Sequence, residues 1–206
     1  MNFIELDGVG LRYELSGRGD RTLVLVHEMA GSLESFDDIV PRFAASRRVL
    51  RYDTRGAGLS QKVRGELRID TMADDIAGLL DALGIAGKVA VAGIALGGAI
   101  ALHFAARYPE RTSAVAVSSP ATGVAPERRP AALERLLKIE AAGMAFAVAD
   151  SMQNGYAPEL HGDIGALNDI ARGSSATIPR AMQRSRACWQ ASTCRTNWPG
   201  CTVPCS

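Results

Sequence analysis

The stretch KVAVAGIALGG, residues 88–98, decides the fold. Its first half is a short apolar run rich in valine, which suits a strand buried on both faces. Its second half sets Gly93, Gly97 and Gly98 around Ile94, Ala95 and Leu96, and AIALHFAARY continues with a helical pattern up to Pro109. A strand that turns into a helix within so few residues lifts one side chain, here Ala95, above the edge of its sheet. Small neighbours are required on both sides of such a turn, because the strand end and the helix start approach closely. The first turn of the helix also presents backbone N–H groups without helical partners, a natural seat for negative charge.

Working outward, the same logic recurs. Upstream, TLVLV (22–26) is a second unbroken apolar run, ending at His27-Glu28-Met29-Ala30-Gly31. Ser32 is placed to cap a helix through Phe43, with Leu33, Phe36, Ile39, Val40 and Phe43 on one side. RRVLRYD (47–53) is a third strand, followed by the turn Thr54-Arg55-Gly56-Ala57-Gly58. Met72, Ile76, Leu79, Leu80 and Leu83 predict an amphipathic helix starting near Asp70 or Thr71 and closed by Gly84. SAVAVSS (113–119) is a further strand, stopped by Pro120. At the amino terminus FIEL and LRYEL alternate around Asp7-Gly8-Val9-Gly10, the signature of a hairpin.

This order predicts an α/β fold: a mostly parallel sheet with helices on both faces, led by an antiparallel hairpin. Chemistry in such sheets gathers beyond the carboxyl ends of the strands. Those ends bring together His27–Gly31, Asp53–Gly58, Gly93–Gly98 and Ser118–Thr122. From Ala125 to Ile170 the pattern turns helical, with Leu133, Leu136, Leu137 and Ile139 as its clearest stripe.

The composition narrows the function classes. The 206 residues are 47% hydrophobic and 22% charged, which suits one soluble globular domain. Lys+Arg of 23 against Asp+Glu of 22 leaves no electrostatic footprint for nucleic acid or an acidic membrane. The longest uncharged stretch, Val89–Ala106, is interrupted by three glycines and contains His103, so it reads as strand, turn and helix rather than a membrane span. No charged segment followed by an apolar run opens the chain, so the expected location is the cytoplasm. The expected partner is a small molecule, with no nucleic acid and no membrane; nothing in the sequence sets an oligomeric state.

Residues His27 to Pro120 resemble the α/β-hydrolase family. HEMAG (27–31) matches the family's H-G-x-x-G oxyanion loop, and DTRGAGLS (53–60) its D-x-R-G-x-G-x-S turn. GIALGG (93–98) matches the nucleophile elbow G-x-S-x-G-G, and FAARYPERTSAVAVSSP (104–120) the helix-to-strand passage behind it. Four such pieces in order make the resemblance specific, and its texture is most similar to enol-lactonases and meta-cleavage-product hydrolases. The resemblance implies residues 1–120 as the amino-terminal part of the hydrolase core and 121–180 as a helical cap. It also implies a sheet that lacks its carboxyl-terminal strands, no cofactor and no metal.

Three departures accompany the match. The nucleophile position holds Ala95, and a methyl group cannot attack a carbonyl; the oxyanion donors the resemblance implies, the N–H groups of Met29 and Leu96, survive the change. Glu28 stands where the family motif usually has glycine. Its carboxylate would oppose an oxyanion if turned inward, or would serve as a general base; the plainer reading turns it outward to solvent or an arginine. After Ala95 the only histidines are His103, inside the elbow helix, and His161, in the cap, so the late acid and histidine of the family have no counterpart. His27 reads mainly as a brace of its loop and Asp53 as a brace of the turn at Arg55. His27, Ser118 and Ser119 are also carried as candidate substrate contacts.

Residues 181–206 obey different rules. All four cysteines (Cys188, Cys194, Cys201, Cys205) and both tryptophans (Trp189, Trp198) fall in the tail. After Asp169 there is no acidic residue but there are five arginines, whereas residues 1–169 hold 18 basic and 22 acidic ones. The cysteine gaps lack a Cys-x2-Cys knuckle and have no nearby histidine, which argues against zinc. Disulfides are equally out of place in a chain with no sign of secretion. Back-translating Met182–Ser206 with GC-rich codons and reading from each third base allows AAVARMLAGLDLQDELARVHCPVL. That peptide has helical spacing, an acidic turn and a Cys-Pro entry into a strand, so the tail is expected to be frameshifted.

Four functional readings follow. One is a hydrolase by descent, acting on a small ester, lactone or diketone and catalytically impaired here. A second is a non-catalytic binder of small carbonyl compounds, and a third is a product without function. The fourth uses Glu28 for non-serine chemistry.

Overall fold

A computed structural model describes residues 2–63, 66–143, 146–147, 149–150 and 153. Six strands form one sheet: β1 (Asn2–Leu6), β2 (Val9–Ser16), β3 (Thr22–Val26), β4 (Arg48–Tyr52), β5 (Val89–Ile94) and β6 (Thr112–Ser118). Their spatial order is β1-β2-β4-β3-β5-β6. β4, β3, β5 and β6 run parallel, and β1–β2 is an antiparallel hairpin paired to the β4 edge. The hairpin turn is tighter than the four-residue signal suggested. Leu6 pairs with Val9, leaving Asp7 (φ 49°) and Gly8 (φ 74°) as a two-residue turn with both residues left-handed, which matches the twist of the flanking strands.

The sheet is covered on both faces by the alternation within β3. Val24 and Val26 join Leu50, Tyr52 and Val91 beneath α2 (Ile69–Ala82) and α3 (Leu96–Arg107), which supply Met72, Ile76, Leu80, Ile100 and Phe104. Leu23 and Leu25 point the other way, to Val49, Phe36 and Val40. Each fully buried side chain of this size contributes roughly 1.5–3 kcal/mol. α2 ends as its sequence implied, with Gly84 at φ +65° just beyond it.

One predicted helix is broken. Residues 32–43 form a 3-10 turn at Leu33–Phe36 and then a short α1 at Val40–Ala44, rather than one helix from Ser32. Pro41 has no N–H to donate to a preceding turn. Arg51 also reaches from β4 to the carbonyl of Leu33 at 3.0 Å and to the carboxylate of Asp37, fixing the chain between the two pieces. After β6 the chain forms α4 (Arg129–Ala142). His161 and residues 181–206 lie outside the described residues, as does most of the cap span beyond Asp150.

Candidate active site at the strand ends

The carboxyl ends of β3, β4, β5 and β6 converge, and the elbow after β5 is the centre of the arrangement. Ala95 sits at φ 50°, ψ −113°, a conformation that disfavours any side chain and is strained by roughly 1–3 kcal/mol. Three backbone hydrogen bonds hold it there. Its N–H donates to the carbonyl of Ser118 at 3.0 Å, and its carbonyl accepts from Ala99 at 3.1 Å and Ala121 at 2.9 Å.

The glycines explain why the turn can be so tight. A Cβ on Gly93 would lie 2.2 Å from the carbonyl oxygen of Gly97, and one on Gly97 would lie 2.1 Å from that of Val26. A Cβ on Gly98 would meet Pro120 at 3.1 Å. The start of α3 is thus pressed against the end of β3 and the exit of β6. Leu96 is the first residue of that helix, so its N–H has no partner within it. Ser118 and Ser119 are exposed at the rim, with Ser119 left-handed at φ 45°.

The loop after β3 is held from below by His27. The ring is 2% exposed, and both its nitrogens are engaged. Nε2 accepts from the N–H of Thr54 at 3.0 Å, so the proton sits on Nδ1, which donates to the carbonyl of Glu28 at 2.7 Å. Burial holds its pKa below the usual histidine value. His27 is a neutral brace between two loops, with both ring nitrogens engaged by the protein.

Glu28 is part-exposed and pairs with Ser35 at the surface. Its carboxylate accepts from the Ser35 hydroxyl at 2.9 Å and lies over Gly31, where a Cβ would come within 2.4 Å of Oε1. The carboxylate thus belongs to the joint between the loop and the following 3-10 turn. Met29, Ala30 and Phe146 pack against Ile139 and Ala147, so the end of α4 lies on this loop.

Asp53 is 0% exposed and ties three segments together. Its carboxylate accepts from the N–H of Leu33 and of Leu59, both at 2.7 Å, and faces Arg12 at 3.4 Å. Gly58 fits only because it lacks a Cβ, which would fall 2.1 Å from Oδ2 of Asp53. Below it Arg55 forms a buried fork with Asp75 on α2, Nε to Oδ2 at 2.7 Å and a second bond from the terminal nitrogen. Burial raises the Asp75 pKa, while Arg55 pulls the other way. Lys62 closes the turn by donating to the carbonyls of Gly56 and Gly58.

Asp75, Arg12 and Lys62 were not anticipated. Asp75 had a signal, an acidic residue in phase with the apolar face of α2 at Met72, Ile76 and Leu79; Arg12 and Lys62 had none. His103 stands on α3 with its Nδ1 3.3 Å from Asp70 of α2, about two turns along the helix from the elbow.

Comparison with known proteins agrees with this geometry. Residues 17–184 match the family described as "Serine aminopeptidase, S33". The chain belongs to this α/β-hydrolase family. Over 114 residues it is 38% identical to a dihydrolipoyllysine-residue acetyltransferase component of an acetoin cleaving system from Pseudomonas putida, covering 55% of this chain and 30% of that protein. It is 32% identical over 117 residues to 3-oxoadipate enol-lactonase 2 of Acinetobacter baylyi (56% and 43%). It is 37% identical over 131 residues to a 2-hydroxy-6-oxononadienedioate/2-hydroxy-6-oxononatrienedioate hydrolase of Burkholderia vietnamiensis (60% and 44%). The chain therefore spans less than half the length of these curated relatives. Among solved structures, the enol-lactonase of Burkholderia xenovorans LB400 superposes with a TM-score of 0.81 at 26% identity, covering 92% of this chain and 74% of that one. Among the described residues no helix is long and apolar enough to cross a membrane.

Proposed function

We propose that this α/β-hydrolase derives from an enzyme that cleaves a small ester, lactone or diketone, and that this chain is impaired in the serine step of that reaction. The observation that carries the reading is Ala95. The elbow keeps its strained backbone, its glycines and its position at the helix start, but the residue raised there has no hydroxyl. Acyl transfer in this family type uses a serine nucleophile, a histidine base and an acid that orients the histidine. His27 is buried and neutral, and His103 is held at Asp70, so neither is placed to act as that base. The N–H groups of Leu96 and Met29 are the oxyanion donors of this reading, Ser118 and Ser119 its rim contacts, and its ligand a small molecule met in the cytoplasm without metal or cofactor.

The test is hydrolysis of a p-nitrophenyl ester by the native chain and by Ala95→Ser. The expected result is turnover at the buffer background for both, because a serine at 95 still lacks its histidine. Saturable turnover by the native chain would overturn the reading; if that turnover also vanished in Glu28→Gln, it would move the chemistry to Glu28.

A second reading is supported by the cluster of Met29, Ala30, Ile139 and Phe146. In this reading the end of α4, lying on the loop, would hold a small carbonyl compound against it without turnover. Saturable heat on titrating a small lactone, with the lactone recovered intact, supports the binder; no heat at millimolar concentration removes it.

A further inference from the structure

We propose that the amino-terminal end of the sheet, opposite the elbow, is a docking surface for an acidic polypeptide segment. Two stretches of chain meet there. Gly17 to Arg21 leads into β3, and Arg42 to Arg48 runs from α1 into β4. Thr22 and Arg48 are partners at the start of the two strands, and the N–H of Arg48 donates to the carbonyl of Arg21 at 2.9 Å. The stretches are pressed together. A Cβ on Gly17 would lie 2.4 Å from the carbonyl oxygen of Arg47, and one on Gly19 would lie 2.9 Å from that of Ser46. This contact gathers Arg18, Arg21, Arg42, Arg47 and Arg48 against one acid of the same stretches, Asp20. Arg18, Arg21 and Arg42 are exposed, and Arg47 and Arg48 are half-buried. Lys88, exposed just before β5, extends the same end of the sheet.

The pairing of these arginines sets them apart. Elsewhere arginines sit on carboxylates: Arg12 on Glu34, Arg51 on Asp37, Arg55 on Asp75, Arg107 on Asp74 and Arg111 on Asp81. Among the described residues none of the five does so. Arg47 lies over the Phe43 ring at 5.7 Å, and the Nε of Arg48 is enclosed without a hydrogen-bond partner. Crowded like charges and an enclosed donor without an acceptor both lower stability. A chain of nearly balanced charge that segregates its cations in this way presents a face complementary to a polyanion. The chemistry favours a carboxylate-bearing polypeptide. Guanidinium forks match carboxylates in a bidentate geometry. Nucleic acid asks for aromatic rings on which bases stack, and the one ring of these stretches, Phe43, is taken by Arg47. A lipid surface asks for apolar side chains to insert, and none of the exposed large hydrophobic residues falls on these stretches.

The test is the fluorescence anisotropy of a labelled oligoglutamate peptide titrated with the full chain. It is run at about 0.1 M and about 1 M salt, where charges are screened beyond roughly 10 Å and roughly 3 Å. Saturable binding at the lower salt and its loss at the higher are expected. Arg18→Glu with Arg21→Glu and Arg42→Glu should weaken the binding by on the order of tenfold or more. Arg128→Glu with Arg129→Glu, an exposed pair at the start of α4, should leave it within about twofold. A cooperative melt shows that each variant is folded, and Arg18→Gln with Arg21→Gln replaces the triple reversal if that one does not melt cooperatively. No saturable binding by the native chain, or equal weakening by the two sets of substitutions, overturns the proposal. Tighter binding of an oligothymidylate, or of vesicles of phosphatidylglycerol, assigns the surface to another polyanion and also overturns it.

Discussion

Gly97 stands so close to Val26 that a single added methyl group would lie 2.1 Å from the valine's carbonyl oxygen. This contact joins the two halves of the site, since Val26 ends β3 just before the His27–Gly31 loop and Gly97 lies in the first turn of α3. Gly97→Ala must push α3 off β3 or bend the strand. Overpacking of this kind costs about 1–3 kcal/mol or more. Urea unfolding should show a lower midpoint for Gly97→Ala, while Gly87→Ala, whose Cβ would meet nothing within 4 Å, should change little. Equal effects of the two would contradict the contact.

Ala95 makes the opposite prediction. The left-handed backbone there is tolerated best by glycine. Ala95→Gly should therefore stabilise the fold by about 1 kcal/mol, and Ala95→Ser should leave stability close to that of the native chain. Loss of stability in Ala95→Gly would mean that the methyl group packs, and that the strain is smaller than the backbone angles imply.

Burial favours neutral His27 and outweighs the hydrogen bond to the Glu28 carbonyl, so its folded pKa lies below the ordinary 6.5. The unfolded chain then binds the proton more readily than the folded one. Stability contributed by this group is present above pH 6.5 and falls as the pH drops from there toward the folded pKa. The melting temperature should decline between pH 7 and pH 5, and the decline should be shallower in His27→Asn, which cannot take up that proton. An identical slope in both would remove His27 as the cause.

The fork between Arg55 and Asp75 is buried at both ends. Removing one partner strands the other, which costs about 3–5 kcal/mol in such pairs. Asp75→Ala should be destabilised by that order in chemical denaturation. Asp75→Ala with Arg55→Met should recover much of the loss, because no unpaired charge remains.

How much of this was legible before the structure depends on what each feature rests upon. The elbow was readable because close approach leaves glycine as the sole solution at Gly93 and Gly97, and the buried strands were readable because TLVLV has no polar face to show. The single helix expected from Ser32 to Phe43 was not, since its apolar spacing is right but Pro41 and the reach of Arg51 decide the break, and a long-range contact leaves no local mark. The role of Asp75 sat in the same blind spot: an acid on an apolar stripe announces a partner without naming Arg55. The sequence reads Glu28 as a base or a solvent-facing group, and its exposed partner Ser35, seven residues on, has no local mark to announce it. The resemblance to enol-lactonases rests on motif order, and the Burkholderia xenovorans enzyme superposes over 92% of the chain with a TM-score of 0.81.

The central claim is that the elbow persists without a nucleophile. The most direct measurement is pre-steady-state release of p-nitrophenol on mixing the native chain with excess p-nitrophenyl ester, read together with the intact protein mass. Covalent serine catalysis gives a burst and an acyl adduct. The account predicts no burst and an unchanged mass; a burst of one equivalent with a matching single acyl adduct would contradict it.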